Sequence, residues 1–171
     1  VDGDKGKKLL LIGHLDTVFE ENSPFQTFER FNDSMAYGPG ANDMKGGDVI
    51  VLYALKALAD LNLLLRANIT VAFTGDEEST GKPLSISRQS LIEAGKKADI
   101  ALGFETATSF ENATIARRGA SGWRVETKGK RAHSSGVFNE NIGAGAIFEM
   151  SRILNAFYEE VRGEEYLTFN P

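Results

Sequence analysis

The apolar positions fall into short runs and periodic stretches that predict an order of elements. Lys8 to Ile12, with its apolar run Leu9 to Ile12, predicts a short buried strand ending at Gly13. Phe28 to Phe31 and Met35 to Tyr37 flank Asn32-Asp33 and predict a small hairpin. Gly38, Pro39 and Gly40 mark a loop that runs to Asp43. From Lys45 to about Leu61, the residues Val49, Leu52, Tyr53 and Ala59 recur at helical spacing, with Lys45 and Asp48 on the solvated face. Asn68 to Thr74 predicts a second buried strand. Pro83 to Ala94 predicts a helix, with Pro83 suited to its first turn and Gly95 to its end. Asp99 to Phe104 predicts a third strand. The order strand, helix, strand, helix, strand implies an α/β layer with a largely parallel sheet.

The pattern then changes. Thr114 to Arg117 and Ser121 to Lys128 read as strands, the second alternating Trp123, Val125 and Thr127 against Arg124 and Glu126. A long helix is expected from about Asn141 to Val161, its apolar face formed by Ile142, Ala146, Met150, Ile153, Leu154, Phe157 and Val161. A boundary near Arg118-Gly119 divides the chain into domains 1–118 and 119–171. No internal repeat interrupts either.

Composition narrows the function classes. With 171 residues, 42% hydrophobic and 25% charged, the chain has the balance of a protein with a packed core. A net charge of −5 and the lack of a basic stretch argue against nucleic acid as a partner. The absence of cysteine removes disulfides, thiolate zinc sites and cysteine nucleophiles, and fits a cytoplasmic location. No apolar run approaches the ~20 residues of a membrane helix. A start at Val1 and an end at Asn170-Pro171 suggest an internal piece of a longer protein.

Three polar clusters follow the three main predicted strands. They are Gly13 to Thr17, Gly75 to Ser79, and Phe104 to Thr106. Ligands bind at the carboxyl ends of strands in α/β sheets, so all three clusters face one rim. Asp43 lies just before the first predicted helix. Asp16, Asp43, Glu77, Glu78 and Glu105 would then converge with His14 alone among them. Two carboxylates ~4 Å apart repel by about 4 kcal/mol at an effective dielectric near 20. Such a set persists when carboxylates protonate or cations bind. Carboxylate with imidazole suits zinc, and also cobalt or manganese. Taken singly, each residue has a structural explanation: His14 as a satisfied histidine, Asp43 as a helix cap, Glu77 and Glu78 as a solvated loop. Glu105 has less of one, because an unpaired carboxylate at the end of a buried strand is costly. Their common position at the strand ends is what points to metal.

The segments Gly13-His14-Leu15-Asp16-Thr17-Val18, Gly38-Pro39-Gly40-Ala41-Asn42-Asp43-Met44-Lys45-Gly46-Gly47 and Thr74-Gly75-Asp76-Glu77-Glu78-Ser79 resemble the three signature segments of the M20 metallopeptidases. The lead-in from Tyr37 to Gly40 is closest to the glutamate carboxypeptidase branch. The resemblance implies a zinc-peptidase catalytic domain followed by the start of an α+β lid, or dimerisation, domain. It implies two zinc ions per complete site. His14 and Glu105 would hold one, Glu78 the other, and Asp43 would bridge both. Asp16 would fix the tautomer of His14 by accepting its other ring N–H. Glu77 would be the general base acting on water between the metals. Gly129 to Ser135 resembles the start of the lid, where His133 would reach across a homodimer interface to stabilise the substrate oxyanion. The second metal would also need a histidine beyond the lid, whereas this chain has only His14 and His133. A weak second metal site and poor turnover are therefore expected of these residues alone.

The implied reaction is hydrolysis of an amide bond in a peptide or N-acyl amino acid, with a C-terminal glutamate the favoured leaving group. An aminoacylase, deacetylase or desuccinylase of the same family is the alternative. A non-catalytic binding or assembly module is a third, disfavoured because Glu77 and Asp43 are both present.

Overall fold

The computed structural model describes residues 1–171. It contains two compact units, Val1–Ala113 and Thr114–Pro171, and the pattern change at Arg118-Gly119 falls inside the second.

The first unit is built on a parallel sheet. β1 (Lys5–His14) is central, between β4 (Ala67–Thr74) and β5 (Ile100–Gly103). Leu9 pairs with Ile69 on one side and Ile100 on the other, and His14 pairs with Thr74. All three strands therefore end at one rim, as the α/β expectation requires. β2 (Glu29–Arg30) and β3 (Ala36–Tyr37) form the expected antiparallel hairpin.

The first helix begins after an irregular turn at Ala41–Lys45, in which Asp43 (φ −124°, ψ 95°) and Met44 (φ −130°, ψ 30°) leave helical geometry. Met44 is almost fully buried and anchors that turn. The helix proper, α1, spans Gly46–Asp60. Its inward face differs from the predicted one. Gly47, Asp48 and Val51 are buried, whereas Val49, Leu52 and Tyr53 stand exposed. The run from Val49 to Leu55 is apolar enough to fit more than one helical phase. Backbone approach decides between them. A Cβ on Gly47 would lie 2.0 Å from the Phe104 carbonyl oxygen, so only glycine permits this helix to close on the end of β5. Val51 then joins Leu11 and Ile69 in the core, with Leu55, Leu58, Leu64 and Phe73 packed around them.

The predicted helix at 83–94 is two helices, α2 (Leu84–Ser87) and α3 (Gln89–Lys97), separated by a break at Arg88 (φ −106°, ψ 5°). Pro83 precedes the first in an extended conformation, and Gly95 lies within the second rather than ending it.

In the second unit, α4 spans Ala146–Val161. It starts later than expected because the Asn139 side chain accepts from the backbone N–H groups of Asn141 (3.0 Å) and Ile142 (3.1 Å), holding them in a turn. Thr114 to Arg117 and Ser121 to Lys128 are not strands. Their alternation is present, but a strand is a pairing, and no segment of this chain supplies the neighbouring ladder. Thr127 instead donates its hydroxyl to the Ala146 carbonyl at 2.9 Å. No helix is long and apolar enough to cross a membrane.

Candidate metal centre

β1 delivers His14 to the sheet rim, where its ring is only 1% exposed. Nδ1 lies 3.1 Å from the Asp16 carbonyl oxygen, a group that can only accept. Nδ1 therefore carries a hydrogen, and in the neutral ring the lone pair belongs to Nε2. That nitrogen faces carboxylates. Asp43 Oδ1 is 3.0 Å away, Glu105 Oε1 3.7 Å and Glu77 Oε2 4.0 Å. His14, Asp43 and Glu78 each offer a donor atom, and these atoms all lie within 4.8 Å of one another. Two donors sharing one zinc at ~2.1 Å stand roughly 3–3.5 Å apart, so the 3.0 Å between His14 Nε2 and Asp43 Oδ1 and the donor chemistry of the set fit a divalent metal.

The electrostatics describe a site poised for a cation. Burial opposes charge on His14, but the Asp43 carboxylate, the Asp16 carbonyl, Glu105 and Glu77 outweigh it and raise its pKa. Burial, the charges of Asp43 and Glu77, and a hydrogen bond with Asp43 hold the Glu105 carboxyl above its usual range, with His14 pulling the other way. Both shifts favour the protonated forms of His14 and Glu105 in the metal-free chain, and a bound cation would oppose them.

Asp16 is placed differently from the simplest expectation. The His14 Nδ1–H goes to its backbone carbonyl, while its carboxylate Oδ1 stands 3.4 Å from Nδ1. Oδ2 accepts the backbone N–H of Glu78 at 2.9 Å. Burial pushes this carboxyl up, yet the backbone N–H groups of Glu78 and Glu77, its own N–H and the nearby His14 bring it below its usual range. Asp16 thus joins the His14 strand to the loop that carries both glutamates. Asn42 performs a similar service for the other pair. Its amide donates to Thr106 Oγ1 (3.1 Å), whose hydroxyl donates back to the Asn42 carbonyl (3.3 Å), tying the Asp43 turn beside Glu105. The structure brings His14, Asp16, Asp43, Glu77, Glu78 and Glu105 together. His133 belongs to the second unit, where its Nδ1 lies 2.9 Å from Ser135 Oγ on an exposed turn.

Asp48 corrects the sequence reading. It is 4% exposed, and neither carboxylate oxygen has a hydrogen-bond partner in the protein. A Cβ on Gly13 would lie 2.0 Å from its Oδ1, which places Asp48 directly against the strand that carries His14. Helical periodicity assigned it to solvent, and only the helix phase fixed by Gly47 reveals it. Burial raises its pKa against the opposing charges of His14 and Lys45. The folded chain therefore retains a proton that the unfolded chain releases. This group's contribution to stability falls as pH rises from 3.8, the ordinary aspartate value, through the raised folded value. In the metal-free chain, Asp48→Asn is expected to gain stability over wild type across that window. Above it, the gain should hold level, at a size set by how far burial raises the Asp48 pKa. Urea midpoints measured across pH check this, and a gain that does not vary with pH would contradict it.

Comparison with known proteins places the chain. Carboxypeptidase G2 from Pseudomonas sp. (strain RS-16) is 34% identical over 155 residues, covering 90% of this chain and 36% of that protein. A protein named probable succinyl-diaminopimelate desuccinylase from Staphylococcus aureus (strain MRSA252) is 30% identical over 158 residues, covering 89% of this chain and 37% of its own length. A protein of the same name from Staphylococcus epidermidis (strain ATCC 12228 / FDA PCI 1200) is 27% identical over 164 residues, covering 94% and 39%. The chain thus spans little more than a third of the curated relatives it matches. Residues 10–163 match the family described as Peptidase family M20/M25/M40, and they include every residue of the cluster. With strand-end carboxylates gathered on a buried imidazole and this match over most of its length, the chain belongs to peptidase family M20/M25/M40.

Proposed function

We propose that this protein hydrolyses the amide bond of a peptide or N-acyl amino acid, releasing a C-terminal glutamate or a similar amino acid. The observation that carries the reading is the buried His14, whose Nε2 faces Asp43, Glu105 and Glu77 across 3.0–4.0 Å. Zinc is the metal proposed, two ions per complete site, with cobalt or manganese able to replace it. His14 and Glu105 would hold one ion, Glu78 the other, and Asp43 both. The metals would supply Lewis acidity toward water and the scissile carbonyl.

This chain's own residues divide the remaining work. Asp16 and the Nδ1 hydrogen bond keep the His14 lone pair turned toward the carboxylates. Glu77, half exposed at the mouth of the cluster, is the base that takes a proton from the attacking water and returns it to the leaving amine nitrogen. Water oxygen bonds to the carbonyl carbon, the carbonyl oxygen takes the displaced electron pair as an oxyanion, and its return breaks the C–N bond. His133 would donate to the developing oxyanion, supplied by the lid-type region 119–171 of a partner in a homodimer. Similarity to carboxypeptidase G2 supports the carboxypeptidase reading. The desuccinylase names among the relatives support an N-acyl amino acid deacylase as the second.

The test is an assay of the longest product the gene encodes that contains these residues. The substrates are N-acyl-glutamate, dipeptides and N-acetyl-ornithine, each with zinc and with a chelator. Release of glutamate that a chelator abolishes and zinc restores is the expected result. Chelator-sensitive cleavage confined to N-acetyl-ornithine would favour the deacylase reading. No cleavage of any substrate in zinc-loaded protein would overturn both.

A further inference from the structure

Glu77 and Glu78 sit on a loop between β4 and α2, and such a loop has no ladder of its own to hold it. Its geometry is set by two anchors on either side of Glu77. The Asp16 carboxylate accepts the Glu78 N–H on one side. Arg88 grips the other. One guanidinium nitrogen, Nη1, donates to Asp76 Oδ1, and Nη2 donates to the Asp76 carbonyl (2.8 Å) and to Thr80 Oγ1 (3.0 Å). The loop completes the clasp itself. Gly81 N–H donates to Asp76 Oδ2 at 3.1 Å, the Thr80 hydroxyl donates to the Glu77 carbonyl at 3.2 Å, and the Ser87 hydroxyl donates to the Gly81 carbonyl at 2.6 Å. The Arg88 side chain is 17% exposed, far less than a surface ion pair. The residue stands at the backbone break between α2 and α3.

We propose that Arg88 is a positioning residue of the hydrolytic site. Its guanidinium fork fixes Asp76 and Thr80, and through them the Glu77 carboxylate and the Glu78 ligand. The inference rests on the metal-centre reading above. Two guanidinium nitrogens held in one plane reach a carboxylate, a carbonyl and a hydroxyl together, whereas a lysine offers its donors from a single nitrogen and cannot reproduce that spread. Arg88 touches neither metal nor substrate, so its loss should misplace the loop rather than remove a ligand. Supporting groups one step removed from a metal change affinity or activity by roughly 10–100-fold when lost.

The test compares wild type, Arg88→Ala and Arg88→Lys in the intact protein. Zinc affinity is read by calorimetry, and kcat and KM are read on the preferred substrate. Both variants should bind zinc about 10–100-fold more weakly or lose a similar factor in kcat, with KM little changed. Millimolar guanidinium should restore much of the loss in Arg88→Ala, and the same concentration of ammonium should not. A merely structural role predicts a lower melting temperature without such rescue. Zinc affinity and kcat within about two-fold of wild type would overturn the proposal, as would full activity in Arg88→Lys. If Arg88→Ala does not fold, the Arg88→Lys comparison alone decides. Failure of the underlying reading looks different: wild-type protein would then bind zinc no better than a His14→Ala variant.

Discussion

Replacing Glu77 with Gln is expected to lower kcat by about 10²–10⁴-fold while leaving zinc bound, because general-base catalysis typically contributes that much. The proposed reading gives the adjacent glutamates different roles, Glu78 as a metal ligand and Glu77 as the base. Glu78 offers a donor atom within 4.8 Å of those of His14 and Asp43, and Glu77 Oε2 lies 4.0 Å from His14 Nε2 with its side chain 52% exposed. A half-exposed carboxylate beside the cluster can reach water at its mouth. The amide in Gln keeps the shape of the side chain and removes its basicity. Parallel measurement of kcat and zinc content decides the assignment. A variant that keeps more than about a tenth of wild-type kcat would exclude Glu77 as the base. One that loses zinc along with activity would make it a ligand instead.

Replacing Asp43 with Ala is expected to weaken zinc binding by more than about 100-fold, beyond the loss expected for a group one step removed from the metal. Asp43 is the nearest acid to the His14 lone pair, and its carboxylate also interacts with Glu105. Its position depends on the irregular turn at Ala41–Lys45, with Met44 buried beneath it and the Asn42–Thr106 pair beside it. Removing the carboxylate leaves that scaffold in place, so metal affinity should fall while the metal-free fold survives. Calorimetric zinc titration and a thermal melt in chelator read the two effects separately. Unchanged affinity would remove Asp43 from the metal set.

The elements that sequence made legible are those whose cause is local. The continuous apolar run at Leu9 to Ile12 suits the central strand of a parallel sheet, so its identity as a strand needed no knowledge of its neighbours. The strand-end clusters followed from that order alone, and so did their meeting at one rim. The phase of α1 did not follow. It depends on which residue lets the helix touch β5, and Gly47 speaks only through the Phe104 carbonyl that it nearly meets. Asp48 and Val51 were hidden for the same reason. Arg88 was hidden because a helix-spaced sequence gives no sign of the break at this residue or of its side chain's contact with Asp76. The strands expected near Trp123 have the alternation but no partner, which only pairing could reveal. In the site itself, residue types and order announced His14, Asp43, Glu78 and Glu105. Which His14 nitrogen faces them required the Asp16 carbonyl.

The central claim is that buried His14 and its carboxylates form a divalent-metal site. Calorimetric titration of zinc into the chain and into its His14→Ala variant near neutral pH, repeated in buffers of different ionisation enthalpy, tests it most directly. The account predicts saturable binding to wild type with net proton release, because the raised pKa of His14 leaves part of the ring protonated near neutral pH and the metal displaces that proton. It predicts that His14→Ala loses the tight phase. Equal zinc affinity in the two proteins, or binding without proton release, would contradict it.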